Sequence, residues 1–190
     1  MQHQSAITRL GVIRLGGWAA LASGAIGAVG LAFLIAMYAS FAFGSSAALP
    51  FGRINDFLVL IQYLVALPIT LALQVLLGPR NPSLIRAATV IGIVGMFAIA
   101  GLQFLLVAGV LTFAQQVVPV MIAILVVGVW LVITGSVGQA GATMPGGLRM
   151  SLLAAPYLGY PIWAFWLGRR LLAMSASERR TGGAVPDATS

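Results

Sequence analysis

Five long apolar stretches occupy most of this chain, and almost no charge interrupts them. They lie at 18–43, 57–77, 87–113, 117–135 and 150–167. A helix needs about 20 apolar residues to cross a hydrocarbon core of about 30 Å, and each stretch comes near or above that length. The sequence therefore predicts an all-α fold, an integral membrane bundle of about five transmembrane helices.

The composition argues against a soluble domain. Of the 190 residues, 61% are hydrophobic and 7% are charged, whereas soluble domains carry roughly 25% charged residues. The length allows one compact bundle, which we place at 15–172. We expect an N-terminal tail at 1–14 and a disordered C-terminal tail at 173–190, because the latter is too small and polar to bury apolar area.

The ten basic residues are all arginine, and they face three acids. They stand singly or in pairs beside apolar stretches, which is typical of contact with anionic lipid headgroups rather than of nucleic-acid binding. We therefore expect the lipid bilayer as a partner and no nucleic acid. The expected location is a cell membrane, crossed several times, and specifically a bacterial inner membrane.

The sequence offers little for catalysis or for metal binding. It contains no cysteine and a single histidine, His3, so disulfides, thiolate metal sites and a haem between two histidines are excluded. Asp56 is the one carboxylate outside the C-terminal tail, so neither paired-carboxylate chemistry nor a proton relay has its partners. We expect no enzyme, no catalytic or metal residue and no cofactor.

The first span carries a small residue at every fourth position. Six of these residues form the predicted helix-packing face: Gly16, Ala20, Gly24, Ala28, Ala32 and Ala36. A face without bulky side chains lets a second backbone approach closely, which is how helices associate in lipid. The face predicts a contact inside the bundle, or an interface with a second copy or another membrane protein.

The second span carries a polar face. On a helix with 100° per residue, its four members fall within about 40° of one another; they are Asp56, Tyr63, Thr70 and Gln74. Lipid would penalise this side, so we expect it to point into the bundle. Two interpretations stay open: the wall of a small cavity, or hydrogen-bonding contacts that hold helices together.

Three further glutamines have separate expectations. Gln103 lies inside the third span and should find a hydrogen-bond partner on another helix. Gln115 and Gln116 fall in a short loop predicted at 113–118, so we expect both side chains in solvent.

The arginines leave the orientation undecided. If all five stretches cross the membrane, five arginines lie on each side. The charge-free loops predicted at 44–52 and 113–118 favour a cytoplasmic N-terminus. A re-entrant fifth segment, broken at Pro156 or Pro161, would place both termini on the cytoplasmic side.

Three sequence stretches resemble an uncharacterised bacterial family of multi-pass membrane proteins, known as a domain of unknown function. They are the Pro-Arg-Asn-Pro-Ser-Leu turn at 79–84, the Gly-Val-Trp-Leu run at 128–131, and Met144-Pro145 with Leu148. The resemblance covers the last three-quarters of the chain. It implies the same multi-pass architecture and carries no activity with it.

Two functions of different classes follow from these features. The leading hypothesis is a structural or accessory membrane component that acts through helix–helix contacts. The alternative is a small transporter or lipophilic-ligand binder that uses the polar face of the second span. A continuous cavity beside Tyr63 and Thr70 would favour the alternative, and a sealed bundle would favour the leading hypothesis.

Overall fold

The structure of the protein, a computed structural model, describes the backbone of residues 2–139 and 156–182, with side chains over 8–138 and 159–177. Within these ranges the chain forms five helices and no strand. They are α1 (Gln2–Ala42), α2 (Ala48–Leu77), α3 (Pro82–Val107), α4 (Phe113–Gln139) and α5 (Pro156–Gly182). The predicted all-α fold is confirmed.

Four of the described helices are long and apolar enough to cross a membrane. The segments are Thr8–Ala42, Ala48–Leu77, Pro82–Val107 and Phe113–Gly138. The fifth predicted span, 150–167, is described from Pro156 onward, and its first residues lie outside the described ranges. From Pro156 to Gly168 the helix rises about 20 Å, which is less than the hydrocarbon core of about 30 Å.

Local capping signals set the boundary between α3 and α4. Gly109, with φ of 74°, follows the end of α3 and supplies a left-handed residue at little cost. Thr112 and Gln115 then form a capping box: the Gln115 Oε1 accepts from the Thr112 N–H at 2.9 Å, and the Gln115 N–H donates to the Thr112 Oγ1 at 3.4 Å. The loop therefore lies at 108–112 instead of the predicted 113–118.

Helical structure also extends into both predicted tails. α1 begins at Gln2, inside the tail predicted at 1–14, and Ile13 is 1% exposed because it packs on the rest of the bundle. α5 continues to Gly182, well past the predicted start of the C-terminal tail at 173, and Ser175 is buried there. Residues 183–190 lie outside the described ranges.

The helices pack in the spatial order α5, α1, α2, α3, α4. Gly16 of α1 lies directly on Ala72 of α2, and a methyl group at Gly17 would stand 2.9 Å from the Leu172 side chain of α5. Neighbouring α1 residues thus contact two helices at once. The two outer helices also meet, because the Trp130 and Trp163 rings lie edge to face with centroids 6.3 Å apart.

Between α3 and α4, glycine accommodates a large side chain. A methyl group at Gly92 would stand 2.7 Å from the ring of Trp130, and one at Gly95 would stand 2.8 Å from Val127. Trp130 is fully buried as a result. Close packing of small residues against large ones takes the place of a water-driven core.

Most of the described arginines collect at one end of the bundle, which we call the basic end. Arg80, in the loop after α2, donates from Nη1 to the Val137 carbonyl near the end of α4, at 3.4 Å. Since Leu172 lies beside Gly17, the last part of α5 reaches the same end. The exposed arginines there are Arg9, Arg14, Arg80, Arg86, Arg169 and Arg170. Arg53, in the first turns of α2, lies at the opposite end.

Candidate functional site

A small cleft lies where α1 and α2 meet α4 and α5. Its volume is about 40 Å³. Its polar side chains are Asn55, Gln62 and Tyr63 from α2, with Tyr160 from α5. The rest of its wall is glycine or apolar: Gly27, Gly30, Leu31, Leu34, Val59, Ile124 and Pro161.

Two glycines of α1 make room for the amides of α2. A methyl group at Gly27 would stand 3.0 Å from the Nε2 of Gln62 and 3.2 Å from its Oε1. One at Gly30 would stand 3.5 Å from the Oδ1 of Asn55, which is an ordinary contact. The Gln62 amide therefore lies flat against the bare backbone of α1, and Gly27 is the residue that permits this.

Gln62 is a buried polar residue in the wall of the cleft. It is 9% exposed, and none of the described residues forms a hydrogen bond with its amide. Asn55 differs, because its side chain is a hydrogen-bond partner of Asp56. The amide atoms of Gln62 are not among the fully buried unbonded atoms of the described residues, so a small molecule in the cleft can reach them.

Tyr160, which lines the cleft, is linked to α1 by two consecutive hydrogen bonds. The Tyr160 hydroxyl donates to the Ser23 Oγ at 3.1 Å, and Ser23 donates to the Ala20 carbonyl at 3.2 Å. Tyr160 also packs its ring against Trp163, with centroids 5.9 Å apart. These contacts fix the first turns of α5 against the middle of α1.

The structure brings one member of the predicted polar face to the cleft. Tyr63 lines it and is half-buried. Asp56 and Gln74 are half-buried and do not line it, while Thr70 is fully buried and donates to the Leu67 carbonyl at 2.8 Å. The buried face of α2 is centred on a neighbouring stripe: Val59, Gln62, Ala66, Ile69, Leu73 and Leu77.

Sequence reasoning missed Gln62, although a signal was present. Gln62 continues the apolar spacing of Val59, Ala66 and Ile69 on α2, so its amide had to enter the bundle with them. The four predicted residues lie at the border of that stripe, which is why three of them are only half-buried.

The predicted packing face of α1 divides into two halves. Gly16, Ala20 and Gly24 are buried, as a packing face requires. In the second half Ala28 and Ala32 are exposed, and Ala36 is half-buried. The reason is geometric: a spacing of four advances 40° per step, so five steps carry the stripe about 200° around the helix.

The residues of α1 that face the rest of the bundle are separated alternately by four and three positions. They are Gly16, Ala20, Ser23, Gly27, Gly30 and Leu34. This alternation averages about 3.6 residues per turn, so it stays on one side of the helix. Ala28 and Ala32 therefore lie outside the packed face. The predicted stripe of small residues begins in the bundle interior at Gly16 and reaches the exposed surface at Ala28.

Three buried polar atoms outside the cleft have no hydrogen-bond partner in the described part of the chain. They are the Gln103 Oε1, the Gln116 Nε2 and the Trp130 Nε1. Gln116 was expected in solvent but is 2% exposed, because α4 begins at Phe113 and carries it into the helix interface. For Gln103, the expected partner of the Oε1 is not among the described residues.

The described residues contain no group of three or more histidine, cysteine, aspartate or glutamate side chains placed to hold a metal ion. No protein-family model, curated protein or solved structure matches the chain. The resemblance to a multi-pass family of unknown function accordingly stays a prediction.

Proposed function

We propose that this protein is a non-enzymatic accessory component of a cell membrane, crossing it several times and acting through helix–helix contacts made by α1. The observation that carries the proposal is the uncovered second half of the small-residue stripe on α1. Ala28 and Ala32 are exposed, whereas Gly16, Ala20 and Gly24 of the same stripe are buried.

Further alanines widen the uncovered stripe into a face. Five of them lie within about 80° of one another on an ideal helix; they are Ala25, Ala28, Ala32, Ala36 and Ala39. All but Ala36 are exposed. A surface this free of bulk supports close approach of another backbone, which is the main source of helix association in lipid.

The partner we propose for this face is a second copy of the chain. A two-fold contact needs only one face that is complementary to itself. A smooth row of alanines meets this requirement, because neither copy presents a large side chain that would need a matching pocket on the other.

For the orientation, we propose that the basic end faces the cytoplasm. Six described arginines lie at that end and Arg53 lies at the other. Arginine near the ends of membrane helices favours the cytoplasmic side. The placement of Arg169 and Arg170 near the first half of α1 supports this orientation, since the described start of α1 and end of α5 then share one side.

Single-molecule counting of fluorescently labelled chains in phosphatidylcholine vesicles tests the proposal. Ala32→Leu should reduce the dimer fraction at least fivefold, because a leucine holds two backbones apart. Ala98→Leu changes another exposed alanine, on α3; it is the matched control and should leave the dimer fraction unchanged. An unchanged dimer fraction in Ala32→Leu, or a monomeric parent protein, contradicts the proposal.

A further inference from the structure

We infer that the cleft beside Gln62 is a binding site for the hydroxyl group of an uncharged, lipid-soluble molecule. The site goes beyond the proposed contact of α1 with a second copy, and neither depends on the other. It rests on the enclosed space, the unbonded amide and the charges of the cleft.

The space suits a small polar group. A cavity needs about 10–15 Å³ to admit one water-sized group, and the cleft offers about 40 Å³. It therefore has room for about three such groups, as in the terminal carbons and oxygen of an alcohol. A large solute does not fit.

The amide of Gln62 determines which chemical group the cleft can bind. It presents one acceptor and two donors, it is nine-tenths buried, and no described residue bonds to it. A hydroxyl group both donates and accepts, so it can satisfy either end of the amide. A hydrocarbon chain in the same space would leave the amide unbonded, at the cost that buried polar groups carry.

The charges beside the cleft disfavour an ion. No basic side chain of the described residues lines it. The Asp56 carboxylate forms a hydrogen bond with the Asn55 side chain and does not line the cleft. An anion would find no cation among the described lining residues, while a cation would have to leave water for a wall that is mostly apolar. An uncharged group avoids both costs.

The wall of the cleft indicates where the remainder of the molecule lies. Leu31 and Leu34 of α1 and Ile124 of α4 line it and are only partly buried. An apolar tail attached to the hydroxyl group can lie along these side chains. The expected ligand is thus an alcohol with an alkyl tail.

Photolabelling of the full chain in phosphatidylcholine vesicles tests the site. The probe is an eight-carbon alcohol that carries a photoactivatable diazirine, and the control probe is the same chain without the hydroxyl group. Mass spectrometry should find the alcohol attached to peptides from 27–34 and 55–63, at about ten times the yield of the control probe.

Two variants with matched controls link the labelling to the amide. Gln62→Leu should reduce the yield about tenfold, whereas Gln116→Leu, a buried amide on α4 away from the cleft, should not. Gly27→Ala should reduce it as well, because the added methyl group meets the amide at 3.0 Å. Gly11→Ala is its control, because Gly11 lies on the same helix away from the cleft and nothing lies within 4 Å of a methyl group there.

The source of the hydroxyl group is distinguished by competition. Unlabelled octanol and diacylglycerol, which carries one free hydroxyl group on a membrane lipid, are added separately. Displacement by octanol alone identifies a free alcohol, and displacement by both identifies a site that lipids also reach. Equal labelling by the two probes, or full labelling of a folded Gln62→Leu protein, overturns the inference.

Discussion

Gly168 of α5 and Gly17 of α1 approach so closely that a methyl group added to Gly168 would stand 2.8 Å from the carbonyl oxygen of Gly17. The same methyl group would also stand 2.8 Å from the Cγ of Leu21. A leucine side chain can rotate away, but a helix carbonyl cannot. The distance between α1 and α5 therefore depends on the absence of a side chain at residue 168.

Gly168→Ala should lower the free energy of unfolding by about 1–3 kcal/mol, since it forces two packed helices apart. Thermal unfolding in detergent measures the change. Gly101→Ala on α3 is the matched control, because nothing lies within 4 Å of a methyl group there. The control should be neutral or slightly stabilising, as alanine is the better helix former. Equal melting temperatures for the two variants would disprove the close contact.

Gly92 and Trp130 form a second pair whose coupling can be measured. Gly92→Ala places a methyl group 2.7 Å from a fully buried indole ring, and we expect a loss of about 1–3 kcal/mol. Trp130→Phe should reduce that loss, because the smaller ring leaves room for the methyl group. A double-mutant cycle that gives a coupling energy near zero would show that the two residues do not share this space.

The helices could be predicted from the sequence because long apolar runs leave few other structures for the backbone. The ends of the helices depend on single side chains, which the apolar pattern does not reveal. The Thr112–Gln115 capping box, for example, starts α4 at Phe113, earlier than the predicted span at 117–135. The Asn81 Oδ1 does the same for α3 by accepting from the Leu84 N–H at 3.2 Å. Such caps have sequence signatures, so these boundaries were readable in principle.

The cleft was less predictable, because it depends on which face of each helix meets the other. Gln62 and Tyr63 both line the cleft, but Gln62 is the more deeply buried of the two. A single polar residue such as Gln62 on an apolar stripe is easily overlooked, because the stripe as a whole is apolar. On α1, the spacing of four selected Ala28 and Ala32, whereas the packed face turned out to follow Gly27 and Gly30. Only the position of α2 distinguishes these two faces.

Thr70→Val should change the free energy of unfolding by about 1 kcal/mol or less. The Thr70 hydroxyl donates to the Leu67 carbonyl of its own helix at 2.8 Å, so its loss breaks no contact between helices. Valine also fills nearly the same volume at this fully buried position. A larger loss in thermal unfolding would mean that the hydroxyl has a role beyond its own helix turn.

The double variant Gln103→Leu/Gln116→Leu should be as stable as the parent protein or more stable. The Gln103 Oε1 and the Gln116 Nε2 are buried without a partner in the described part of the chain. Replacing unbonded buried amides by apolar side chains of similar size removes a cost of about 1–3 kcal/mol for each group. A marked drop in melting temperature would instead reveal a bridging water or a partner for these two atoms.

The orientation of α5 can be tested with single cysteines, and the chain has none of its own to interfere. Ser46 lies in the loop between α1 and α2, Ser83 in the first turn of α3 and Ser177 in the last turns of α5, and all three are exposed. Because the end of α5 lies beside the start of α1, Ser83→Cys and Ser177→Cys should behave alike and differ from Ser46→Cys.

With the basic end in the cytoplasm, an impermeant thiol reagent added to intact cells should label Ser46→Cys. The other two variants should react only after lysis. A fifth helix that crosses the whole membrane would give the opposite result for Ser177→Cys, which would then react in intact cells together with Ser46→Cys. If Ser83→Cys and Ser177→Cys react in intact cells while Ser46→Cys needs lysis, α5 is placed correctly but the arginines face outward. The three variants thus separate the arrangement of the helices, which follows from contacts such as that of Gly17 with Leu172, from the orientation, which follows from charge alone.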